Sequence, residues 1–159
     1  MAVEDERFDP HRFAPPWIKH EHTARFLFAA RHVKGLTILD CACGAGVGSL
    51  AFAEAGAARV LAFDISGDAA VATRRRCQGL RVYPAVADAA NLPIPSSSID
   101  VVVSFETFEH LHHPERLLDE SARVLKPGGT LICSTPDRAV YSPGHTLESR
   151  PWNRFHARE

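Results

Sequence analysis

The stretch ILDCACGAGVGS, residues 38–49, places an aspartate and a cluster of small residues directly after an apolar run. Asp40 ends that run, and the small residues are Gly44, Ala45, Gly46 and Gly48. Glycines let the backbone turn tightly and approach another molecule, and the helix that follows directs its N-terminus at that molecule. We therefore expect a strand, a tight turn and a helix here, with a ligand at the turn.

The rest of the chain repeats this alternation of strand and helix. Helical patterns occupy residues 48–56, 67–79 and 114–126, with a PGG turn at residues 127–129. Strands are predicted at residues 36–42, 58–65, 80–88, 99–106 and 130–136. This alternation predicts an α/β fold with a parallel sheet and helices on both faces, and the nearly apolar fourth strand is expected to be buried on both sides.

Two further acidic residues follow strands and extend the expected ligand site. In parallel sheets of this kind, ligands bind beyond the carboxyl ends of the strands, where the strand order reverses. Asp64 closes the second strand and can accept hydrogen bonds from both hydroxyls of a ribose; otherwise it caps a helix or lies on the surface. Asp88 ends the third strand and can accept the exocyclic amine of adenine; otherwise it belongs to a turn.

The glycine spacing separates two classes of adenosine-containing cofactor. Residues 44–48 read G-x-G-x-G, whereas the dinucleotide fingerprint is G-x-G-x-x-G. This difference disfavours a nicotinamide-dependent oxidoreductase, which remains a remote alternative. Ribose-binding acids such as Asp64 occur in nicotinamide and S-adenosylmethionine sites alike.

Composition and charge exclude several other classes of protein. The 159 residues are 45% hydrophobic and 23% charged, with a net charge of −1, which is typical of a soluble globular domain. The sequence contains neither a membrane-spanning apolar run nor an apolar signal-peptide core, so a cytoplasmic location is expected. The one basic cluster, TRRRCQ at residues 73–78, is interpreted as a solvated helix face, and nucleic-acid binding is not expected.

The cysteines are interpreted as small packing residues. Cys41 and Cys43 form C-x-C, not the C-x-x-C of a redox or zinc site, and no second pair follows them. Both lie beside the apolar run, where a cysteine usually serves as a small hydrophobe.

Three stretches together resemble the class I S-adenosylmethionine-dependent methyltransferases, over residues 34–136. They are ILDCACGAGVGSLAFAEAGAARVLAFDIS, VADAANLPIPSSSIDVVVSFETFEHL and RVLKPGGTLICSTP. The resemblance implies a Rossmann-like, three-layer fold with strand order 3-2-1-4-5 and S-adenosylmethionine as the cofactor. One departure is Ala42, where glycine is commoner in the family; we expect a slightly tighter turn and unimpaired binding.

The resemblance also implies a role for each residue of the site. The methionine end of the cofactor would be held by Asp40 and the loop of Cys43, Gly44, Ala45 and Gly46. Asp64 would hold the ribose, and Ile65 would lie against the adenine. Asp88 and Ala89 would contact the adenine amine and ring nitrogen, and Phe105 would face both cofactor and acceptor.

The acceptor is predicted to be a glycan or a small hydroxylated metabolite. Residues 21–35 and 153–159 are similar to methyltransferases found alongside glycosyltransferases in cell-surface glycan synthesis. A hydroxyl acceptor benefits from a general base, and histidine suits that task near neutral pH. Candidates follow the fourth strand: Glu106, Glu109, His110, His112 and His113.

His110 is the predicted base or acceptor contact, with a capping or packing role as the alternative. Glu106, Glu109 and His110 have i, i+3, i+4 spacing, so a helical turn would place them on one face. Such a face could hold a divalent cation, as the similar E-x-x-E-H group does in small-RNA 2′-O-methyltransferases, but E-x-x-E-H in quinone-pathway methyltransferases is poor evidence for metal. The predicted site contains no metal. His156, in the tail, is a candidate fourth member of the group formed by Glu106, Glu109 and His110.

The predicted organisation has three parts. Residues 1–34 form a helical segment over the cofactor cleft, residues 35–136 the S-adenosylmethionine-binding domain, and residues 137–159 an irregular tail. The sixth and seventh strands usual for this fold are short or missing, so a truncated acceptor region is expected. The alternative function is a cofactor-binding fragment without catalysis, and the open edge of the fifth strand allows a homodimer.

Overall fold

The computed structural model describes residues 16–137, with side chains described from His20 onward. The strands are β1 (Thr37–Cys41), β2 (Arg59–Asp64), β3 (Val82–Val86), β4 (Ile99–Phe105) and β5 (Leu125–Ser134). The helices are α1 (Pro16–Ala30), α2 (Val47–Glu54), α3 (Gly67–Arg76) and α4 (Pro114–Val124), with a 3₁₀ turn at Phe108–His110. His156 and the rest of the predicted tail beyond residue 137 lie outside the described residues.

All strand pairs in this part of the chain are parallel, and the sheet order is β3-β2-β1-β4-β5. The predicted α/β fold and its strand order are therefore confirmed. The order reverses at β1, whose Asp40 pairs with Ala62 of β2 on one side and Val103 of β4 on the other. Ligands of such sheets bind at this reversal.

Each strand contributes alternate side chains to two apolar layers. Ile38, with neighbours from β2 and β4, packs on one face against α1, α2 and α3. Leu39, the next residue, packs on the opposite face against Leu117 and Val124 of α4. Because successive side chains of a strand point to opposite faces, this arrangement needs apolar residues throughout, and β4 is buried on both sides as predicted.

Helix α1 packs beside the sheet through only some of its apolar residues. Ala29 of α1 and Val33 just after it are fully buried, whereas Ala24 and Leu27 are exposed. The ring of Phe26 fills the space over Gly48, where an added Cβ would lie 2.8 Å from Cε1 of the ring. Part of the small-residue cluster thus accommodates the protein's own helix.

The KPGG segment differs from its predicted role as a turn before the fifth strand. β5 begins at Leu125, which pairs with Ile99, while Thr130 pairs with Val101, so residues 126–129 bulge opposite Asp100. Gly128 takes φ 79° in this bulge, and Lys126 Nζ donates to Asp100 Oδ1 over 2.7 Å.

β5 forms one edge of the sheet within residues 16–137. The homodimer through this edge stays a prediction, as do the domain boundaries at residues 34/35 and 136/137. None of the helices in this range combines the length and apolar composition needed to cross a membrane.

Candidate active site

A cleft with a volume of about 400 Å³ opens at the carboxyl ends of the central strands. It brings together every predicted site residue except Ala45 and Gly46: Asp40, Cys43, Gly44, Asp64, Ile65, Asp88, Ala89, Phe105 and His110. The topology explains this convergence, because parallel strands end at the same edge of their sheet.

The glycine loop, residues 42–46 between β1 and α2, borders the cleft through residues 42–44. Gly44 lines the cleft with φ 53°, and its N–H donates to Asp64 Oδ2 over 2.9 Å. Ala45 and Gly46 lie on the α3 side of the loop, where the Ala45 carbonyl accepts from Arg76 Nε over 2.7 Å. A cofactor contact by these two residues stays a prediction.

Asp40 is a buried carboxyl group in the wall of the cleft. Its side chain is 6% exposed, and Ser49 Oγ donates to its Oδ2 over 2.5 Å. Burial raises the pKa of Asp40 to about 6, although the bond from Ser49 opposes this shift. The nearby charge of Asp64 raises this pKa further, so Asp40 changes its charge within two units of neutral pH.

Asp64 joins two segments at the end of β2. Oδ2 accepts the Gly44 N–H, and Oδ1 accepts the N–H of Ser66, the N-cap of α3, over 2.9 Å. Both carboxylate oxygens thus accept backbone N–H groups, and the Asp64 side chain also lines the cleft. Asp64 therefore shapes the site as well as lining it.

The adenine end of the predicted site is the more open one. Asp88 lines the cleft but is exposed, and its Oδ1 accepts the N–H of Ala90 over 2.8 Å within a turn. Ile65 is 71% exposed, a high value for a large apolar side chain at the rim of a cleft. Its exposure provides an apolar surface on which a flat ring can stack.

The opposite end of the cleft is formed where β4 ends. Phe105 and Glu106 both line it, and Glu106 adopts φ 51°, an uncommon left-handed conformation for a residue with a side chain. Its Oε1 accepts from Ser134 Oγ over 2.6 Å and lies 3.5 Å from Arg25 Nε. These contacts join α1, β4 and β5 at this end.

Glu106, Glu109 and His110 do not belong to one helical turn, which was the condition for placing all three on one face. Glu106 precedes the 3₁₀ turn, and Glu109 is buried, where its Oε2 accepts from Thr135 Oγ1 over 3.1 Å. Within residues 16–137 no three His, Cys, Asp or Glu side chains come together in a group that could hold a metal ion.

His110 is the one histidine of its segment that lines the cleft. Its Nε2 lies 3.9 Å from Glu109 Oε1, and its side chain is 44% exposed. His113 instead lies outside the cleft lining and contacts Glu115, with 3.0 Å between Nδ1 and Oε1. The structure thus distinguishes His110 from its neighbour, although a catalytic role stays a prediction.

The comparisons with known proteins identify the family. A family model described as a methyltransferase domain matches residues 39–133, more than half of the chain. The chain belongs to the methyltransferase domain family. The resemblance to class I S-adenosylmethionine-dependent methyltransferases is confirmed, and with it S-adenosylmethionine as the cofactor of the family.

Three similar proteins illustrate the relationship. A protein of Mycolicibacterium smegmatis named "Probable S-adenosylmethionine-dependent methyltransferase" is 36% identical over 143 residues, which cover 90% of this chain and 53% of that protein. The ubiquinone biosynthesis O-methyltransferase of Caulobacter vibrioides is 36% identical over 140 residues, which cover 84% and 54% respectively. The solved structure of an S-adenosylmethionine-dependent methyltransferase of Mesorhizobium loti is 28% identical and superposes with a TM-score of 0.68. The match covers 77% of this chain and 58% of that one. The chain spans about half the length of the curated relatives it matches.

In this methyltransferase domain, one contribution to the cleft comes from outside the matched residues. His22 and Phe26 of α1 line the cleft, and the Phe26 ring lies 5.9 Å from the ring of Phe105. Burial lowers the pKa of His22 below its usual value of 6.5, and the charge of Arg25 lowers it further, against smaller opposing effects of Glu106 and Glu21. His22 is therefore neutral near pH 7.

His22 was not predicted from the sequence, because it belongs to no motif that indicates a functional residue. Thr107 and Leu111 also line the cleft, whereas His112 and His113, which are as near to His110 in the sequence, do not. His22 is placed by the packing of Phe26 over Gly48, a contact between distant segments that no local pattern reports.

In this methyltransferase domain Cys41 is buried and Cys43 is half-buried, whereas Cys133 is exposed. Cys41 and Cys43 line the cleft, and burial raises the pKa of the Cys41 thiol to about 12 and that of Cys43 above its usual range. Both remain protonated at neutral pH, which agrees with their interpretation as small packing residues.

Proposed function

We propose that this chain is the cofactor-binding and catalytic domain of an S-adenosylmethionine-dependent methyltransferase that methylates a hydroxyl group. One observation carries the proposal: carboxyl groups from the ends of three neighbouring strands line one cleft around a left-handed glycine. These groups are Asp40, Asp64 and Asp88, and the glycine is Gly44.

The residues present fit this cofactor chemically. A cleft of about 400 Å³ falls within the size range of small-molecule sites. Asp40 offers a carboxyl group to an ammonium, Asp64 offers acceptors to ribose hydroxyls, and Asp88 offers an acceptor to an adenine amine. Asp40 is the group most affected by such a cation, because a nearby positive charge favours its ionised form.

The glycine positions argue against a dinucleotide. In a dinucleotide site the second glycine lets the backbone approach the pyrophosphate. Here an added Cβ at Gly46 would lie 2.7 Å from Thr73 Oγ1, and one at Gly48 would lie 2.8 Å from the Phe26 ring. Protein side chains occupy the space that a Cβ at either glycine would fill, so the missing side chains of Gly46 and Gly48 serve packing within the protein.

The acceptor end of the cleft supports methyl transfer to oxygen. His22, Glu106 and His110 supply groups that accept protons or hydrogen bonds, and Phe26 and Phe105 supply apolar walls. The relative from Caulobacter vibrioides is named as an O-methyltransferase, which supports the same acceptor atom. A small hydroxylated metabolite or a glycan is the acceptor that we propose.

The protein's task in this reaction is alignment and removal of a proton. S-adenosylmethionine supplies a methyl group on a sulfonium, which is already activated for in-line displacement. Phe105 and Phe26 line the acceptor end with apolar surface. As the acceptor oxygen bonded to the methyl carbon, the bond from that carbon to sulfur would break and S-adenosylhomocysteine would leave, and the imidazole of His110 would take the hydroxyl proton. The neutral form of His22 makes it the second candidate for that proton.

The cofactor is tested by calorimetric titration of the folded chain with S-adenosylhomocysteine and with NAD. We expect heat of binding with S-adenosylhomocysteine and none with NAD. A folded protein that binds neither, or that binds NAD alone, would overturn the proposal.

The proton acceptor is tested with His110→Ala and His22→Ala against His113→Ala, which changes an exposed histidine outside the cleft lining. Methylation of catechol and glycan acceptors is measured. Loss of a general base should lower kcat by about 10²-fold with unchanged affinity for S-adenosylhomocysteine. An equal loss in all three variants would rule out both bases.

The second candidate function is a cofactor-binding fragment without catalysis. The share of the relatives that the chain spans, 53% and 42% for two of them, favours this alternative. Binding of S-adenosylhomocysteine without methylation of any acceptor would support it. The cytoplasmic location stays a prediction.

A further inference from the structure

The basic stretch at residues 73–78 is only partly the solvated helix face that its composition indicated. Arg74 and Arg75 are exposed, whereas Thr73 and Cys77 are buried and Arg76 is half-buried. Residues three and four apart share one face of a helix, so Thr73, Arg76 and Cys77 point the same way from the last turn of α3.

That shared face contacts three successive carbonyl groups of the glycine loop. Thr73 Oγ1 donates to the carbonyl of Gly44 over 3.1 Å, and Arg76 Nε donates to that of Ala45 over 2.7 Å. The Cys77 thiol reaches the carbonyl of Gly46 over a longer 3.8 Å. Each of these three loop carbonyls therefore has its own side-chain partner at the end of α3.

At Gly46 the loop packs directly against Thr73 of α3. An added Cβ at Gly46 would come within 2.9 Å of the Thr73 Cα as well as its side chain, and Gly46 takes φ 76°. A side chain at this position would displace the loop from α3. Gly46 thus permits the approach that brings all three carbonyls within reach of their donors.

The cleft side of the same loop is fixed by a different element. The Gly44 N–H donates to Asp64 Oδ2, so the two polar groups of Gly44 are held by β2 and α3 respectively. In a trans peptide the carbonyl and the following N–H point in opposite directions. Fixing the Gly44 carbonyl on α3 therefore turns the N–H of Ala45 away from that helix.

We propose that Thr73 and Arg76 are positioning residues that hold the glycine loop in the geometry that binds the cofactor. This inference rests on the proposed function. A loop that is already held loses little further conformational freedom when a ligand arrives, so its anchors contribute to affinity without contacting the ligand.

The affinity test removes each anchor separately and compares it with a matched control. Thr73→Val removes the hydroxyl at nearly constant volume, and Thr73→Ser retains it. Arg76→Ala removes the second anchor, with Arg75→Ala as the exposed control on the same turn. We expect S-adenosylhomocysteine to bind roughly three- to tenfold more weakly to Thr73→Val and Arg76→Ala, and within about twofold of wild type to the other two.

Hydrogen exchange in the unliganded protein gives a second measurement that does not depend on the ligand. Amides of residues 42–50 should exchange faster in Thr73→Val and Arg76→Ala, while the β4 amides remain unchanged. Failure of the wild type to bind S-adenosylhomocysteine would overturn the proposed function alone. Wild-type exchange in folded Thr73→Val and Arg76→Ala would overturn the positioning role.

Discussion

Ala42 shows how much a single backbone angle matters at this site. It adopts φ 62°, a left-handed conformation that costs a residue with a Cβ about 1–2 kcal/mol. Glycine avoids that cost but loses about 0.5–1 kcal/mol of chain entropy on folding. Ala42→Gly should therefore raise the free energy of unfolding by about 0.5–1 kcal/mol, measured by urea denaturation.

The control for Ala42→Gly is Ala122→Gly, in the exposed interior of α4. There alanine has an ordinary helical conformation, so glycine should lower the free energy of unfolding by about 1 kcal/mol. If Ala42→Gly destabilises the protein as much as Ala122→Gly does, the left-handed conformation of Ala42 is not strained.

Asp64 carries two tasks, and its replacement should reveal both. Asp64→Ala removes the acceptor proposed for the ribose and the acceptor of the Gly44 and Ser66 N–H groups. We expect binding of S-adenosylhomocysteine to weaken by about 1.5–3 kcal/mol, the cost of losing hydrogen bonds to a charged group. Calorimetric titration measures this change, with the exposed Asp68→Ala as the control that retains wild-type affinity.

At the scale of elements, the contact between α1 and α2 depends on Gly48, whose missing side chain leaves room for the Phe26 ring. An added Cβ at Gly48 would lie 2.8 and 2.9 Å from carbons of the Phe26 ring, which also packs near Phe52 and Phe105. Gly48→Ala should lower the free energy of unfolding by about 1–3 kcal/mol through overpacking. Denaturant titration measures this free energy. Adding Phe26→Leu to the Gly48→Ala variant should reduce the overpacking, because leucine is smaller than phenylalanine and has no ring.

The matched control is Gly67→Ala, at the first position of α3. No atom lies within 4 Å of an added Cβ there, so alanine should be neutral or stabilise the protein by up to about 1 kcal/mol. An unaffected Gly48→Ala protein would mean that Phe26 has room to move.

Local pattern predicted the elements because each strand and helix carries its own periodicity. Asp64 and Asp88 were singled out for the same reason, since each stands where a predicted strand ends, and both line the cleft. The KPGG segment was misplaced because a bulge depends on the partner strand: residues 126–129 form it only against Asp100 of β4. His22 was missed on similar grounds. The position of α1 depends on the contact between Phe26 and Gly48, and Gly48 lies 26 residues after His22 in the chain.

The loop shows a subtler reason for partial success. Its small residues predicted the close approach of a ligand, but small residues alone do not state what approaches the backbone. Gly46 meets Thr73 and Gly48 meets Phe26, so two of the small residues serve packing within the protein. The direction of a peptide carbonyl depends on tertiary contacts, which explains why Ala45 and Gly46 lie away from the cleft lining.

At the scale of the whole molecule, Asp40 links the site to the stability of the fold. Burial raises its pKa from 3.8 to about 6. Between these values the folded state binds more protons than the unfolded state, so the free energy of unfolding falls as pH rises. The stabilisation is complete below about pH 4 and is lost through pH 6, with a magnitude of about 3 kcal/mol at most.

Asp40→Asn should abolish this pH dependence, because an amide does not ionise and can still accept the Ser49 hydroxyl. Urea denaturation from pH 4 to pH 7.5 measures the effect as the difference between wild type and variant at each pH. His22, whose lowered pKa makes stability fall as pH drops below 6.5, acts in the opposite direction and cancels in that difference. The exposed Asp119→Asn should keep the wild-type slope, and an equal slope in Asp40→Asn would show that Asp40 is ionised throughout this range.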